Sequence, residues 1–190
     1  MQEDSGFLGI GGPLSAVVVG GSGGIGAAFT EALLGAGAEV WATSRKGDGA
    51  SRPGLRWSPL ELSEEDSLRS FSQELAAAGF QPRIVINCTG LLHADGLGPE
   101  RSWRHLDLAS MQRVFAVNAF GVALLGKHLI PLIPRRGRSL FASLSARIGS
   151  IGDNRLGGWH SYRASKAAQN MLLKNLAIEA SMKWPDLICV

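Results

Sequence analysis

The stretch VVVGGSGGIGAAF, Val17 to Phe29, places five glycines in seven positions between an apolar run and an alanine-rich one. The run before it, LSAVVVG from Leu14 to Gly20, is continuously apolar, as expected of a strand buried on both faces. Helix-like sequence follows from Gly24 to Leu34 and closes at GAG. A strand, a glycine turn and a helix in the first unit of a chain suit a dinucleotide. The glycines let the backbone turn sharply and approach a pyrophosphate, and the helix N-terminus offers free N–H groups and a positive dipole end. Two registers fit: Gly21-x-Gly23-x-x-Gly26, the general dinucleotide fingerprint, and Gly20-x-x-x-Gly24-x-Gly26. The stretch by itself does not choose between them.

Working outward, strands are expected at Ala38 to Ser44, at GLRWSPLEL ending near Glu61, at Arg83 to Cys88, at Ser139 to Ser145 and at Asp186 to Val190. The segment SEEDSLRSFSQELAAAG predicts a helix with Ser63 as N-cap, acidic residues in its first turn and Gly79 past its end. Two longer helices are expected, from Asp107 to Leu129, with Phe115, Val117 and Val122 as core positions, and from Tyr162 to Met182. This alternation predicts an α/β fold, a Rossmann-type doubly wound parallel sheet with helices on both faces. The division is a flexible N-terminal tail over residues 1–13 and one NAD(P)-binding Rossmann domain over 14–190.

Composition narrows the function. The 190 residues carry 19 basic and 16 acidic side chains mixed along the chain, a net charge of +3, which argues against a nucleic-acid surface. The densest basic cluster, PRRGR at Pro134 to Arg138, reads as a solvated loop. Cys88 and Cys189 form no CxxC pair and are expected as buried free thiols. No window holds eighteen uncharged apolar residues and the first residues lack a signal-peptide pattern, so a cytoplasmic protein without a membrane span is expected. His93, His105, His128 and His160 show no ligand spacing, so no metal site is expected.

Cofactor choice should be written at the end of the second strand, where a carboxylate would hold the ribose 2′-hydroxyl of NAD. The sequence there is Thr43, Ser44, Arg45, Lys46, and Arg45 can fork onto a 2′-phosphate, which favours NADP (as NADPH) over NAD. Further along, SYRASKAAQN sets Tyr162, the single tyrosine, four residues before Lys166, so that on a helix they share a face. An ammonium beside the phenol is expected to lower its pKa, and Lys166 can also reach a nicotinamide ribose. Such a tyrosine suits a general acid or base acting on a carbonyl or alcohol. His160 and Trp159 lie close enough in sequence to line a substrate entrance.

With these residues in view, the sequence resembles the short-chain dehydrogenase/reductase family from Leu14 onward. That family uses the Gly20, Gly24, Gly26 register and the YxxxK pair matched by Tyr162 and Lys166. NCTG, Asn87 to Gly90, looks like its Asn-Asn-Ala-Gly turn, with Cys88 and Thr89 as departures, and Val19 stands where a Thr is usual. Asn118 in VFAVNAFG matches the Asn whose backbone carbonyl holds a relay water. The segment SARIGSIGDNRLGGWHSYRASKAA is most similar to the C-factor and sniffer-type carbonyl reductase branch. The resemblance implies cofactor contacts at Gly20, Ser22, Gly23, Gly24, Ile25, Gly26, Ser44 and Arg45, then at Glu61, Leu62, Asn87, Cys88, Thr89 and Gly90, besides Tyr162 and Lys166. It implies a serine that hydrogen-bonds the substrate carbonyl. Ser145 is the reading preferred, Ser143 is next, and counting back from Gly149 puts Ala146 in the slot instead.

The resemblance implies an NADP-dependent oxidoreductase interconverting a carbonyl and an alcohol, with a small-molecule substrate and a homodimer or homotetramer. A non-catalytic dinucleotide-binding or signalling protein is the other reading. Relatives continue past a sixth strand with a Pro-Gly turn, a substrate loop, a helix and a seventh strand, so the expected fold stops short after its sixth strand.

Overall fold

The computed structural model describes residues 9–190. Six strands, β1 (Ser15–Val19), β2 (Glu39–Ser44), β3 (Leu55–Pro59), β4 (Ile84–Asn87), β5 (Ser139–Ser143) and β6 (Leu187–Cys189), form one sheet in the order β3-β2-β1-β4-β5-β6. Every neighbouring pair is parallel. The helices are α1 (Gly24–Gly35), α2 (Glu65–Ala77), α3 (Leu108–Phe115), α4 (Gly121–Leu129) and α5 (His160–Ser181). Between α3 and α4 lies a π-helical segment, Ala116–Phe120, in place of the continuous helix expected from Asp107 to Leu129. Of the stretch read as a tail, residues 1–8 lie outside the described residues, and Ile10 is buried in the core.

Both faces of the sheet are covered, which explains its uninterrupted apolar strands. Successive side chains of β1 point to opposite faces. Val17 and Val19 join a cluster with Phe71 and Leu75 of α2, Leu125 and Leu129 of α4, and Leu173 of α5. Ala16 and Val18 join the other cluster, which packs on Leu33 of α1. The helical stretch Leu108–Leu132 is apolar enough by composition to cross a membrane, but half of it is buried inside the protein, and Val122, Leu125 and Leu129 are core residues there.

The N-terminus of α2 differs from expectation. Its N-cap is Glu64, and the Ser63 hydroxyl donates instead to Glu61 Oε1 at 2.7 Å. The side chain is turned back toward Glu61, and the first N–H groups of α2 receive no side-chain cap. Strand order reverses between β1 and β4, so the loops leaving these two strands part and open a crevice at their carboxyl ends.

Candidate active site

That crevice is a cleft of about 810 Å³. Its first wall is the glycine turn. Gly20 has φ +79°, and a Cβ there would lie 2.9 Å from Thr89 Cγ2. The Gly23 N–H donates to the Gly20 carbonyl at 3.1 Å and closes the turn. A Cβ on Gly26 would run onto that same carbonyl. At Gly24 nothing outside its own helix and chain neighbours lies within 4 Å of a Cβ, so packing against the rest of the protein does not require glycine there. It leaves the first turn of α1 approachable by a ligand. Gly21 differs: its close neighbours are Ala42 and Trp57, which makes it a packing glycine against β2 and β3. Gly20, Gly21 and Gly26 are thus held to glycine by the fold and Gly23 and Gly24 are not, so packing alone does not choose between the two registers.

The residues implied as cofactor contacts mostly line this one cleft. Ser22 and Gly23 do so from the turn, and Ser44 and Arg45 from the end of β2. Glu61 and Leu62 line it beyond β3, and Cys88, Thr89 and Gly90 beyond β4. Gly24, Ile25 and Gly26 form the first turn of α1 rather than the wall, and Asn87 is buried at the end of β4. Arg45 has no ion-pair or hydrogen-bond partner among the described residues. The Ser44 hydroxyl donates to Asp48 Oδ1 at 2.9 Å, so the carboxylate missing from the end of β2 arrives four residues later, outside the cleft lining. Glu61 Oε1 is taken by the backbone N–H and hydroxyl of Ser63. Burial pushes the Cys88 thiol up to about 11, so it stays protonated at neutral pH. The open first turn of α1, the helix N-terminus and the unpartnered Arg45 fit a dinucleotide carrying an extra phosphate. Sequence reasoning missed Arg113, which lines the cleft from α3, and placed Val117 in the core although it also lines the cleft. The spacing of Arg113 and Val117, one helical turn apart, was the available signal.

A polar network lies behind the cleft wall formed by Gly90 and Leu91. Asn118, buried in the π-helical segment, accepts the Leu91 N–H at 2.7 Å and donates to the Leu91 carbonyl at 2.9 Å and to Ser165 Oγ at 3.1 Å. Widened helical turns of this kind recur at functional sites. Lys166, buried on α5, donates to the Leu144 carbonyl and to Gln169 Oε1, both at 2.8 Å. Its Nζ sits 5.9 Å from the centre of the Tyr162 ring. A Cβ on Gly90, which lines the cleft, would be 3.7 Å from Lys166 Nζ and 3.9 Å from Asn118 Oδ1, so both buried groups lie directly behind that residue, while Tyr162, Lys166 and Asn118 do not themselves line the cleft.

Electrostatics follow burial. Loss of water pushes Lys166 down to about 8. Burial raises the Tyr162 phenol above its ordinary value. This corrects the expectation of a lowered phenol: the ammonium lies over the ring and makes no hydrogen bond to the hydroxyl, so desolvation prevails. Ser145 is exposed, and its hydroxyl donates to Asn170 Oδ1 at 2.6 Å rather than joining Tyr162. Ser143 Oγ accepts from Asn87 Nδ2 and from Gln169 Nε2, each at 3.0 Å.

Tyr162 takes its place from the start of α5. The Glu100 carboxylate, from the long loop after β4, accepts the N–H and the hydroxyl of Ser161. Burial pushes Glu100 up, but these donors outweigh it and its pKa falls below the ordinary value. The Glu100 carbonyl accepts the N–H of Trp159, whose φ of 51° is left-handed. Trp159 and His160 adjoin Tyr162 at this helix start, and Trp159 is 39% exposed, which leaves it able to contact a ligand.

Residues 15–184 match the family model described as short chain dehydrogenase. The cis-4-hydroxycyclohexanecarboxylate dehydrogenase of Sinomonas cyclohexanicum is 28% identical over 171 residues, 86% of this chain and 66% of that protein. A short-chain dehydrogenase/reductase from Burkholderia multivorans with bound NADP superposes with a TM-score of 0.79 at 25% identity, over 93% of this chain and 76% of that one. The carbonyl reductase Sniffer of Caenorhabditis elegans gives a TM-score of 0.78 at 26% identity, over 94% of this chain and 83% of that one. The chain spans about half to two thirds of the length of the curated relatives it matches.

Proposed function

The chain belongs to the short-chain dehydrogenase family, and on that premise we propose that it is an NADP-dependent oxidoreductase interconverting a carbonyl and an alcohol. The observation that carries this reading is the placement of Lys166 Nζ and Asn118 Oδ1 directly behind Gly90, a lining residue of the cleft whose other wall is the glycine turn. When bound, the nicotinamide supplies or takes the hydride. The glycine turn and the α1 N-terminus hold the pyrophosphate, and Arg45 holds the 2′-phosphate. The branch identity with sniffer-type reductases draws support from the Caenorhabditis elegans structure.

The phenol of Tyr162, kept protonated by burial, donates its proton to the carbonyl oxygen as hydride arrives, and takes it back in the reverse reaction. Lys166 over the ring stabilises the phenolate left behind. Asn118, fixed at both ends of its amide, keeps its helical turn in place for the proton relay. Ser145 is assigned to the carbonyl from its place after β5, with a smaller share because its hydroxyl is already held by Asn170. That tie is also what favours the alternative, a dinucleotide-binding protein without catalysis. Free thiols at Cys88 and Cys189 suit the reducing, cytoplasmic setting we assign. Exposed Phe120, Met171 and Ile178 suit burial in a homodimer or homotetramer.

NADPH oxidation against a panel of aldehydes and ketones tests the assignment. Tyr162→Phe is expected to lower kcat about a thousandfold while NADPH still binds. Equal rates in the two proteins would remove Tyr162 from the chemistry. Arg45→Ala is expected to weaken NADPH binding about tenfold and leave NADH binding unchanged, read by fluorescence titration.

A further inference from the structure

Gln169 is a buried amide on α5, 1% exposed, in a helix whose neighbouring buried positions include Leu173. An amide taken out of water is costly unless it is hydrogen-bonded. Here both ends are used. Oε1 accepts from Lys166 Nζ at 2.8 Å, and Nε2 donates to Ser143 Oγ at 3.0 Å and to the Leu144 carbonyl at 3.2 Å. The spacing of three residues puts it on the same helical face as Lys166.

We propose that Gln169 is a positioning residue that sets the direction of the Lys166 ammonium. A lysine ends in three donors on a flexible four-carbon stem, and one acceptor alone leaves it free to swing. The Leu144 carbonyl is the first acceptor and Gln169 Oε1 the second, so two of the three N–H groups are fixed and one is left over, with Gly90 of the cleft wall beside the amine. Gln169 also ties that direction to the loop after β4. Its Nε2 holds Ser143, Ser143 holds Asn87 Nδ2, and Asn87 Oδ1 accepts the N–H and the hydroxyl of Thr89, the neighbour of Gly90. The loop that lines the cleft and the ammonium behind it are thus held by one chain of hydrogen bonds. The ammonium's role in catalysis rests on the proposed function; its positioning does not.

The test compares Gln169→Met, which keeps length and burial but loses both hydrogen-bonding ends, with Gln169→Glu, which keeps an acceptor for Lys166. In the free protein, acetic anhydride should modify Lys166 about threefold faster in the Met variant than in wild type, read by mass spectrometry, because the amine is released. The Glu variant should be modified no faster than wild type. In NADPH-dependent reduction the Met variant should lose about tenfold in kcat with KM for the carbonyl held within about twofold, and the Glu variant should recover most of that loss. A folded Met variant labelled at the wild-type rate overturns the proposal. Should the Met variant fail to fold, faster labelling of Lys166 in the Glu variant overturns it. A wild-type protein that reduces nothing refutes the proposed function alone, and the labelling comparison still decides the role of Gln169.

Discussion

Near the glycine turn and the end of β2, two positions are left without protein partners. Arg45 pairs with nothing among the described residues, and Gly24 has open space where a side chain would be. Around Lys166 the opposite holds. Asn118, Lys166, Gln169, Ser143 and Asn87 are all buried, and each hydrogen-bonds at least one neighbour of the site. The first region is shaped for groups brought by a ligand, and its affinity depends on what arrives. The second is organised in advance, so that little has to move when chemistry starts. One site thus combines an open half that binds with a satisfied half that reacts.

The largest expected effect falls within the open half and divides it. Gly26→Ala drives a Cβ onto the Gly20 carbonyl and should cost about 3 kcal/mol or more in urea unfolding. Gly24→Ala should leave folding intact or slightly improve it while weakening NADPH binding about tenfold. If Gly24→Ala unfolds the protein, the contrast between a packing glycine and a binding glycine fails.

The next effect tests the satisfied half. Lys166 is charged in both the folded and the unfolded chain below pH 8, so folding there removes a charge from water. Between pH 8 and 10 the folded protein releases that proton while the unfolded chain keeps it, so stability attributable to Lys166 rises with pH, by about 2 kcal/mol. Lys166→Met should lack this rise when unfolding midpoints of the two proteins are compared at each pH. The raised Tyr162 and Cys88 act in the opposite direction toward higher pH, and they cancel in the comparison because both proteins contain them. A parallel pair of curves would show that the ammonium is solvated. The smallest effect is Ser145→Ala. Its hydroxyl faces Asn170, so kcat should fall less than about fivefold, under about 1 kcal/mol. A loss of a hundredfold would move Ser145 into the preorganised half.

The fold was legible because doubly buried strands need continuous apolar runs, and VVV, RIVIN and SLFA supply them. The glycine turn was legible because Gly20 and Gly26 answer to backbone contacts only a few residues apart. The π-helical segment was not, since its widening accompanies the grip of Asn118 on Leu91, 27 residues earlier. Gln169 was not either: a lone amide in a helical pattern reads as surface, and its partners on β5 lie about 25 residues away. The direction of the Tyr162 shift was misread because spacing put the ammonium near the phenol without saying whether the two would bond.

The bond from Glu100 to Ser161 spans 61 residues. A helix such as α5 can begin to form from its own sequence, but its first turn is fixed only when that span closes. Closure of so large a loop costs chain entropy of about 3–4 kcal/mol before the contact rewards it. Ser161 immediately precedes Tyr162, so the phenol is expected to be among the last parts of the site to be set during folding. A chain that has already built its sheet and its glycine turn can therefore still be one contact short of a reactive tyrosine.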